Sequence, residues 1–271
     1  MMRYNMQSRH PPNHLERKNP HVRDKRISFD EGPHIYTIDG DDSFTSVTTW
    51  NHQHFKPFDA DEVITRMMAS DRWSSSKYFD LTREEIKAGW EKNRDEAARA
   101  GTEMHYNVEC YYNRCLEEGF RWELSKEGEY FLAFLWDWGH LRPYRTEWTI
   151  FHEELKLAGS VDMIFENADG TLQIYDWKRS REIRKTPFGS QSATTACIEH
   201  LPDSNYWHYC LQLNIYKYIL ESKYGKTVTD MYLVCMHPNN KNNSYQRIRV
   251  VDLNEEIKNL AIYREHQLQE T

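Results

Sequence analysis

Long apolar runs are missing from these 271 residues, and none approaches the length a helix needs to cross a bilayer. A helical membrane protein is therefore not expected. Cysteine is scarce and awkwardly spaced: Cys110, Cys115, Cys197, Cys210 and Cys235 are odd in number and include no C-x-x-C pair. That pattern indicates neither a disulfide framework nor a zinc ribbon, and it fits an intracellular, reducing compartment. The opening MMRYNMQSRHPPNHLERKNPHVRDKR has no apolar centre and no small-residue cleavage site, so no secretory leader is expected. It reads as a basic flexible arm over residues 1–26, either a solvated tail or a segment that touches nucleic acid or directs targeting. Excess positive charge is also lacking. A net charge of −7 argues against a protein that simply coats DNA, because nonspecific duplex affinity rests on neutralising phosphates with Lys and Arg. Clustered acids that hold divalent cations escape this objection, since the cations supply positive charge at a phosphate.

What is present is a chain whose two halves carry different periods. RISFD and HIYTID read as short strands, Asp39-Gly40 turns the chain, and SVTTWNHQHFKPFD leads into a helix from about Ala60. Asp59 is its N-cap, and Glu62 sits where a capping box needs it. Thr82 with Glu85 starts a second helix through IKAGWEKNRDEAARA. GTEMHYNVECYYNRCLEE forms a third, ending near Gly119, and EGEYFLAFLWDWGH a fourth. From RTEWTIFHEE the period becomes that of strands, through LKLAGSVDMIF and TLQIYDWK, until the polar stretch 181–204 interrupts it. NYWHYCLQLNIYKYILESKYG is helical, TDMYLVCMHP and YQRIRVVDL are strands, and NEEIKNLAIYREHQLQ closes as a helix. This order predicts an α/β fold, a central mixed sheet flanked by helices. One domain over 27–271 is expected, mainly helical from 27 to 140 and an α/β core from 141 to 271.

The stretch GSVDMIFENADGTLQIYDWKRS, residues 159–180, concentrates the candidate chemistry. With ENADG as the turn, Phe165 faces Thr171 and Asp162 falls opposite Ile174. Asp162 and Asp176 are then diagonal neighbours on one face, with Cβ atoms about 7 Å apart. Strand alternation adds Lys178 to that face and turns Trp177 away. Two carboxylates at this spacing can share a hard divalent cation, and a lysine beside them can orient or help deprotonate an attacking water. By itself the D-x-K pattern reads equally well as an exposed ion pair on a surface hairpin. His105, in GTEMH, stands on a helix where an imidazole can complete a mixed acid and histidine shell, although a lone histidine is more often an ordinary hydrogen-bonded residue. Gln212 and Tyr216 are one helical turn apart and share a face.

Taken together and in this order, GTEMH, TEWTIF, AGSVD, IYDWK and QLNIY resemble the motifs of the PD-(D/E)XK nuclease superfamily. The similarity runs from about residue 34 to 236. It is to the RecB-like branch, with its Cas4-like, AddB-like and mitochondrial genome-maintenance exonuclease groups. SVTTW, Ser46 to Trp50, also resembles a segment ahead of the first helix in related nucleases, with the alternative that Ser46 caps a turn. The resemblance implies a restriction-endonuclease-like core. It implies His105, Asp162 and Asp176 as metal ligands with the Trp177 carbonyl as a fourth, and Lys178 as the catalytic lysine. Glu147 matches an upstream acid near the metals, its alternative being a surface glutamate. Gln212 and Tyr216 match a Q-x-x-x-Y motif that steadies the active face and contacts DNA, and Ser46 is a further candidate DNA contact. Cas4-like and AddB-like members commonly hold an iron–sulfur cluster with four cysteines. The C-terminal region here has only Cys235, so no cluster is expected. Cys110 and Cys115 are expected to pack beside a helix.

The activity implied is that of a Mg²⁺- or Mn²⁺-dependent deoxyribonuclease, an exonuclease on DNA ends or single strands in repair, replication or genome processing. A helicase or a replication or repair protein is an expected partner, and a membrane is not. Trp90, Tyr106, Tyr111 and Tyr112 are candidates for stacking on bases, with core packing as their alternative. Two other readings stay open: a nucleic-acid-binding or scaffold protein on the same fold that does not cut, and an enzyme that cleaves RNA. The compartment stays open among cytoplasm, nucleus, mitochondrion and viral factory.

Overall fold

The computed structural model describes residues 13–114, 125–187 and 189–270. Cys115 and the first twelve residues of the expected arm lie outside the described residues. The chain passes through α1 (His14–Lys18), β1 (Ile27–Asp30), β2 (Ile35–Ile38), β3 (Thr45–Ser46), α2 (Val47–His52), α3 (Ala60–Met68), α4 (Arg83–Tyr112) and α5 (Lys126–Trp138). It continues through β4 (Arg142–His152), β5 (Leu157–Glu166), β6 (Leu172–Lys178), α6 (Asn205–Lys223), β7 (Val228–Cys235), β8 (Gln246–Arg249) and α7 (Asn254–Gln269). β1 and β2 form a small hairpin, and the other strands make one mixed sheet in the order β3-β5-β6-β7-β8, with β4 also paired to β5. The β3–β5 and β6–β7 pairs are parallel and the rest antiparallel.

Local signals explain the helix starts. Asp59 accepts from the amides of Asp61 and Glu62 at the head of α3, and Thr82 with Glu85 closes a capping box on α4. The two helices expected on either side of Gly101 are one helix of 30 residues. No proline interrupts residues 83–112, and Met104, Val108 and Tyr112 go on facing the core at helical spacing, which outweighs the roughly 1 kcal/mol that a mid-helix glycine costs. Tyr112 is thereby a core residue against Phe165 and Trp177, not a stacking surface.

Residues 14–26, expected as flexible, are docked instead. Leu15 is buried in the core, the Asp24 carboxylate accepts from Arg145 at 2.8 Å and from the Trp148 indole at 2.9 Å, and Arg23 reaches Glu153 at 2.8 Å. The charges that suggested a solvated tail are the groups that tie it down, because Arg145 is itself buried and needs an anion.

The sheet separates two apolar layers. Leu172 and Ile174 of β6 pack with α2, α6 and α7, while Tyr175 and Trp177 pack with α4 and α5. On one edge of β5, β3 pairs with Leu157 and Ala158, and β6 pairs with residues 163–166. Between them the edge of β5 is left open, at Gly159 to Asp162.

Candidate active site

Every candidate acid of the sequence lies at that opening. The hairpin loop is 167–171, closed by Asn167 N–H to Thr171 O at 2.8 Å, so Phe165 pairs with Gln173 and Ile164 with Ile174. The register expected from the sequence, with Asp162 opposite Ile174, is two residues off, because Thr171 belongs to the turn, tied by its amide and hydroxyl to Asp169. The observed ladder ends at Met163 and Tyr175, and one further step sets Asp162 against Asp176 rather than diagonal to it. On the other side, Thr146 pairs with Met163 and Trp148 with Val161, which leaves Glu147 and Asp162 as the couple in between. Three carboxylates on three adjacent strands thus fall in one row.

The row is held by specific contacts. Asp162 Oδ2 accepts the Trp177 amide at 2.9 Å, so the main-chain group of Trp177 fixed at the site is its N–H, while its indole is buried in the α4–α5 layer. Glu147 has φ of +42°, rare for a residue with a side chain, and its Oε2 accepts from the Ser160 hydroxyl at 2.9 Å. His105 comes from α4, its Nδ1 3.5 Å from Asp162 Oδ2 and 3.7 Å from Glu147 Oε1. One ligand atom each from His105, Glu147 and Asp162 lie within 4.8 Å of one another. Burial works against charge on His105, but Asp162 and then Glu147 outweigh it and raise the imidazole to about 9.

Asp176 is 2% exposed, and Lys178 Nζ stands 2.7 Å from its Oδ2. Asp176 Oδ1 is buried without a hydrogen-bond partner, while Oδ2 is paired with the Lys178 ammonium. Burial raises the Asp176 carboxyl, partly offset by Lys178. Burial likewise opposes charge on Lys178, yet Asp176 and Asp162 hold its ammonium well above the ordinary lysine value. The chemistry of this donor set, an imidazole and two carboxylates within 4.8 Å of one another with the buried Asp176 carboxylate on the next strand, suits a hard divalent cation.

The PD-(D/E)XK nuclease superfamily matches over residues 62–271. The chain belongs to this superfamily. No curated protein matches it. The D-x-K of this PD-(D/E)XK protein falls on Asp176 and Lys178 at the end of β6, beside the parallel partner β7.

Beneath the opening, Gln212 Nε2 donates to the Tyr216 hydroxyl at 3.3 Å, and both side chains are buried on α6. Gly159 lets them approach: a Cβ there would stand 2.8 Å from Tyr216 Cε1. Ser46 is the N-cap of α2, its hydroxyl accepting from Thr49 N–H at 3.0 Å, and it also lines a cleft of about 140 Å³ with His34, Tyr36, Thr48, Ser160 and Asp162. The cap expected of Ser46 is thus formed, and the same side chain stands on the cleft wall.

Some neighbours went unnoticed in the sequence. Tyr209 of α6 lies with its ring 4.6 Å from Lys178 Nζ, and its signal was available, three residues before Gln212 on the same helical face. Glu109, one turn after His105, is raised to about 8 by burial and then by Glu147. Tyr36, on a separate hairpin, had no sequence signal. Of the aromatic candidates, Trp90 donates its indole N–H to Tyr78 at 3.0 Å, and Tyr111 is exposed but edges onto Phe131. Cys110, Cys210 and Cys235 are buried, Cys197 is half-buried, and none is in a disulfide. No described helix is long and apolar enough to cross a membrane.

Proposed function

We propose that this protein is a Mg²⁺- or Mn²⁺-dependent nuclease that hydrolyses phosphodiester bonds of DNA, acting on ends or single strands. The carboxylate row carries the reading: Glu147, Asp162 and Asp176 stand in line across three strands, with His105 against the first two. Carboxylates crowded in a buried row disfavour one another's charge, as Asp162 does that of Asp176, and a divalent cation removes that cost. His105, Glu147, Asp162 and Asp176 would hold the ion, with the Trp177 carbonyl as a further ligand. When bound, it would supply an acidified water and positive charge for the phosphoryl group.

The chain's own groups do the rest. Lys178, kept as an ammonium by two acids, donates to the attacking water or a phosphate oxygen and offsets developing negative charge. His105 gives up its proton to act as a ligand, so loading releases protons. Gln212 and Tyr216 brace the floor, and the hydroxyls of Ser46, Thr48 and Ser160 line the cleft that receives the strand. The RecB-like branch is supported by His105 on a helix ahead of the core and by the Gln212–Tyr216 pair beneath it. Work on DNA ends in repair, replication or genome processing, with a helicase-type partner, is part of this reading.

The test is digestion of end-labelled single- and double-stranded linear DNA and a closed circle with Mg²⁺, Mn²⁺ or EDTA, comparing wild type with Lys178→Ala. Metal-dependent loss of linear DNA, sparing the circle and slowed about 10²–10³-fold or more in the variant, is expected. Cutting of the circle would make it an endonuclease, and binding without cutting would sink the nuclease reading.

A further inference from the structure

Beyond Lys178 the chain carries four cations in seven residues, Arg179, Arg181, Arg184 and Lys185, in a protein whose net charge is −7. The folded chain adds a fifth. Glu182 feels Arg184, Lys241 and Arg181, and His237 feels Arg179 and Arg181, so Lys241 from the β7–β8 connection joins the cluster. Only two carboxylates answer them among these contacts: Glu127 takes Arg179 at 2.7 Å, and Glu182 takes Arg184 at 2.9 Å. Arg181, Arg184 and Lys185 are exposed.

The strap is fixed in place by its backbone. Asn205 accepts the Arg184 amide at 2.8 Å and donates to Glu182 O at 2.7 Å, the Tyr206 amide meets Arg184 O at 3.2 Å, and the Trp207 indole meets Lys185 O at 3.1 Å. These contacts seat a cationic strap on the first turn of α6, the positive end of a 19-residue helix. The side chains of α6 itself offset little of that charge. Its first turn has no acid, its N-cap Ser204 makes no side-chain capping bond, and the Ser204 hydroxyl, on a residue 8% exposed, has no partner. Asp203, one residue before the N-cap, pairs with His208 at 2.8 Å and is the one carboxylate set against this turn among these contacts, facing several cations. Cations held against a helix N-terminus repel its dipole, and an anion lying between them relieves both.

We propose that the strap 179–185, with Lys241 and the first turn of α6, is a phosphate track that takes the sugar–phosphate backbone of one nucleic-acid strand as it continues from Lys178. The proposal rests on the nuclease reading and adds a substrate path: the strand crosses from the hydroxyl-lined cleft at Ser46, over the acid row, onto the strap. The cations sit where the chain emerges from β6, with Met236 N–H bonded to Lys178 O at 2.9 Å and the Cys235 thiol to Ser180 O at 2.7 Å, so the track is rigidly joined to the scissile centre.

The experiment measures binding of a labelled oligothymidylate to the full chain in EDTA over a salt series, for wild type, Arg181→Glu/Lys185→Glu/Lys241→Glu, and Arg142→Glu at the far end of the sheet. The triple variant is expected to bind roughly tenfold or more weakly, and its slope of log K against log salt is expected to shrink by about 2, as three lost phosphate contacts on a single strand require. Arg142→Glu keeps the wild-type slope. Lys241→Ala alone, outside the strap, lowers the slope by about 0.7 and serves if the triple variant unfolds. An unchanged slope in both Lys241→Ala and the triple variant overturns the track while leaving the nuclease reading intact. A wild type that binds no strand overturns both.

Discussion

The Asp162 carboxylate accepts a hydrogen bond from the Trp177 amide at 2.9 Å, at the point where the β5–β6 ladder stops. A side chain takes the place of a backbone acceptor there, and the strand end that carries Asp176 and Lys178 is thereby tied to the metal-ligand candidates on β4 and α4. Asp162→Asn keeps an oxygen for that amide and removes the charge. It is expected to stay folded and to lose Mn²⁺-induced stabilisation, which for the wild type at 100 times Kd amounts to about 2.7 kcal/mol. Thermal denaturation with and without Mn²⁺ decides it, and a shift that survives in Asp162→Asn would move the ion elsewhere.

Glu147 holds a left-handed backbone in the middle of a strand, a conformation that costs a side-chain-bearing residue about 1 kcal/mol or more. Glu147→Gly is expected to raise the unfolding free energy by about 1 kcal/mol while nuclease activity falls. Urea denaturation beside a cleavage assay checks both halves. A destabilised variant would mean that the strain is absent or that the Ser160 bond outweighs it.

Gly159 faces the Tyr216 ring, and an added Cβ would sit 2.8 Å from Cε1. Tyr216 is buried and cannot step aside cheaply, so Gly159→Ala is expected to cost about 1–3 kcal/mol. Tyr216→Ala added to Gly159→Ala should lose less than the sum of the two single changes. Strict additivity in urea midpoints would show that the ring and the glycine do not meet.

Two buried histidines set an acid limit to the fold. Burial, helped by Arg264, lowers His54 to about 4, and burial with Lys223 lowers His152 to about 4. Both rings are placed for the neutral form: His54 Nδ1 pairs with the Thr195 hydroxyl at 2.9 Å, and His152 Nδ1 accepts the Leu155 amide at 3.3 Å, which its nearby Glu154 does not change. The unfolded chain takes up these protons first, near pH 6.5. The stability is therefore complete above about 6.5 and is lost as the pH falls toward 4, by about 2 kcal/mol per histidine at pH 5. Salt-bridged carboxylates such as Glu153, lowered to about 2, act in the same direction but only below about pH 4.5. Urea midpoints at pH 7 and pH 5 test the window. His54→Gln should flatten the slope, and a midpoint unchanged between these pH values would refute the assignment.

Residue order alone determined the element types and the chemical inventory of the site. The Asp59 cap and the Thr82–Glu85 capping box, alternation in β5 and β6, and the helical spacing of Gln212 and Tyr216 are short-range signals, written within a few neighbouring residues, whereas the Glu62 carboxylate expected to close a box on Asp59 pairs with Lys56 instead. They make the helices, the hairpin and the shared face of Asp176 and Lys178 legible before any folding. Tertiary structure decided which groups meet. The two-residue register of the hairpin depended on Thr171 joining the turn. Burial of Arg145 converted the segment 14–26 from a tail into a clasp, and core packing of Met104, Val108 and Tyr112 carried α4 through Gly101. The approach of His105 to Asp162, of Tyr209 to Lys178 and of the strap to α6 joins residues 21 or more positions apart, where loop entropy and packing, not local preference, choose the partner.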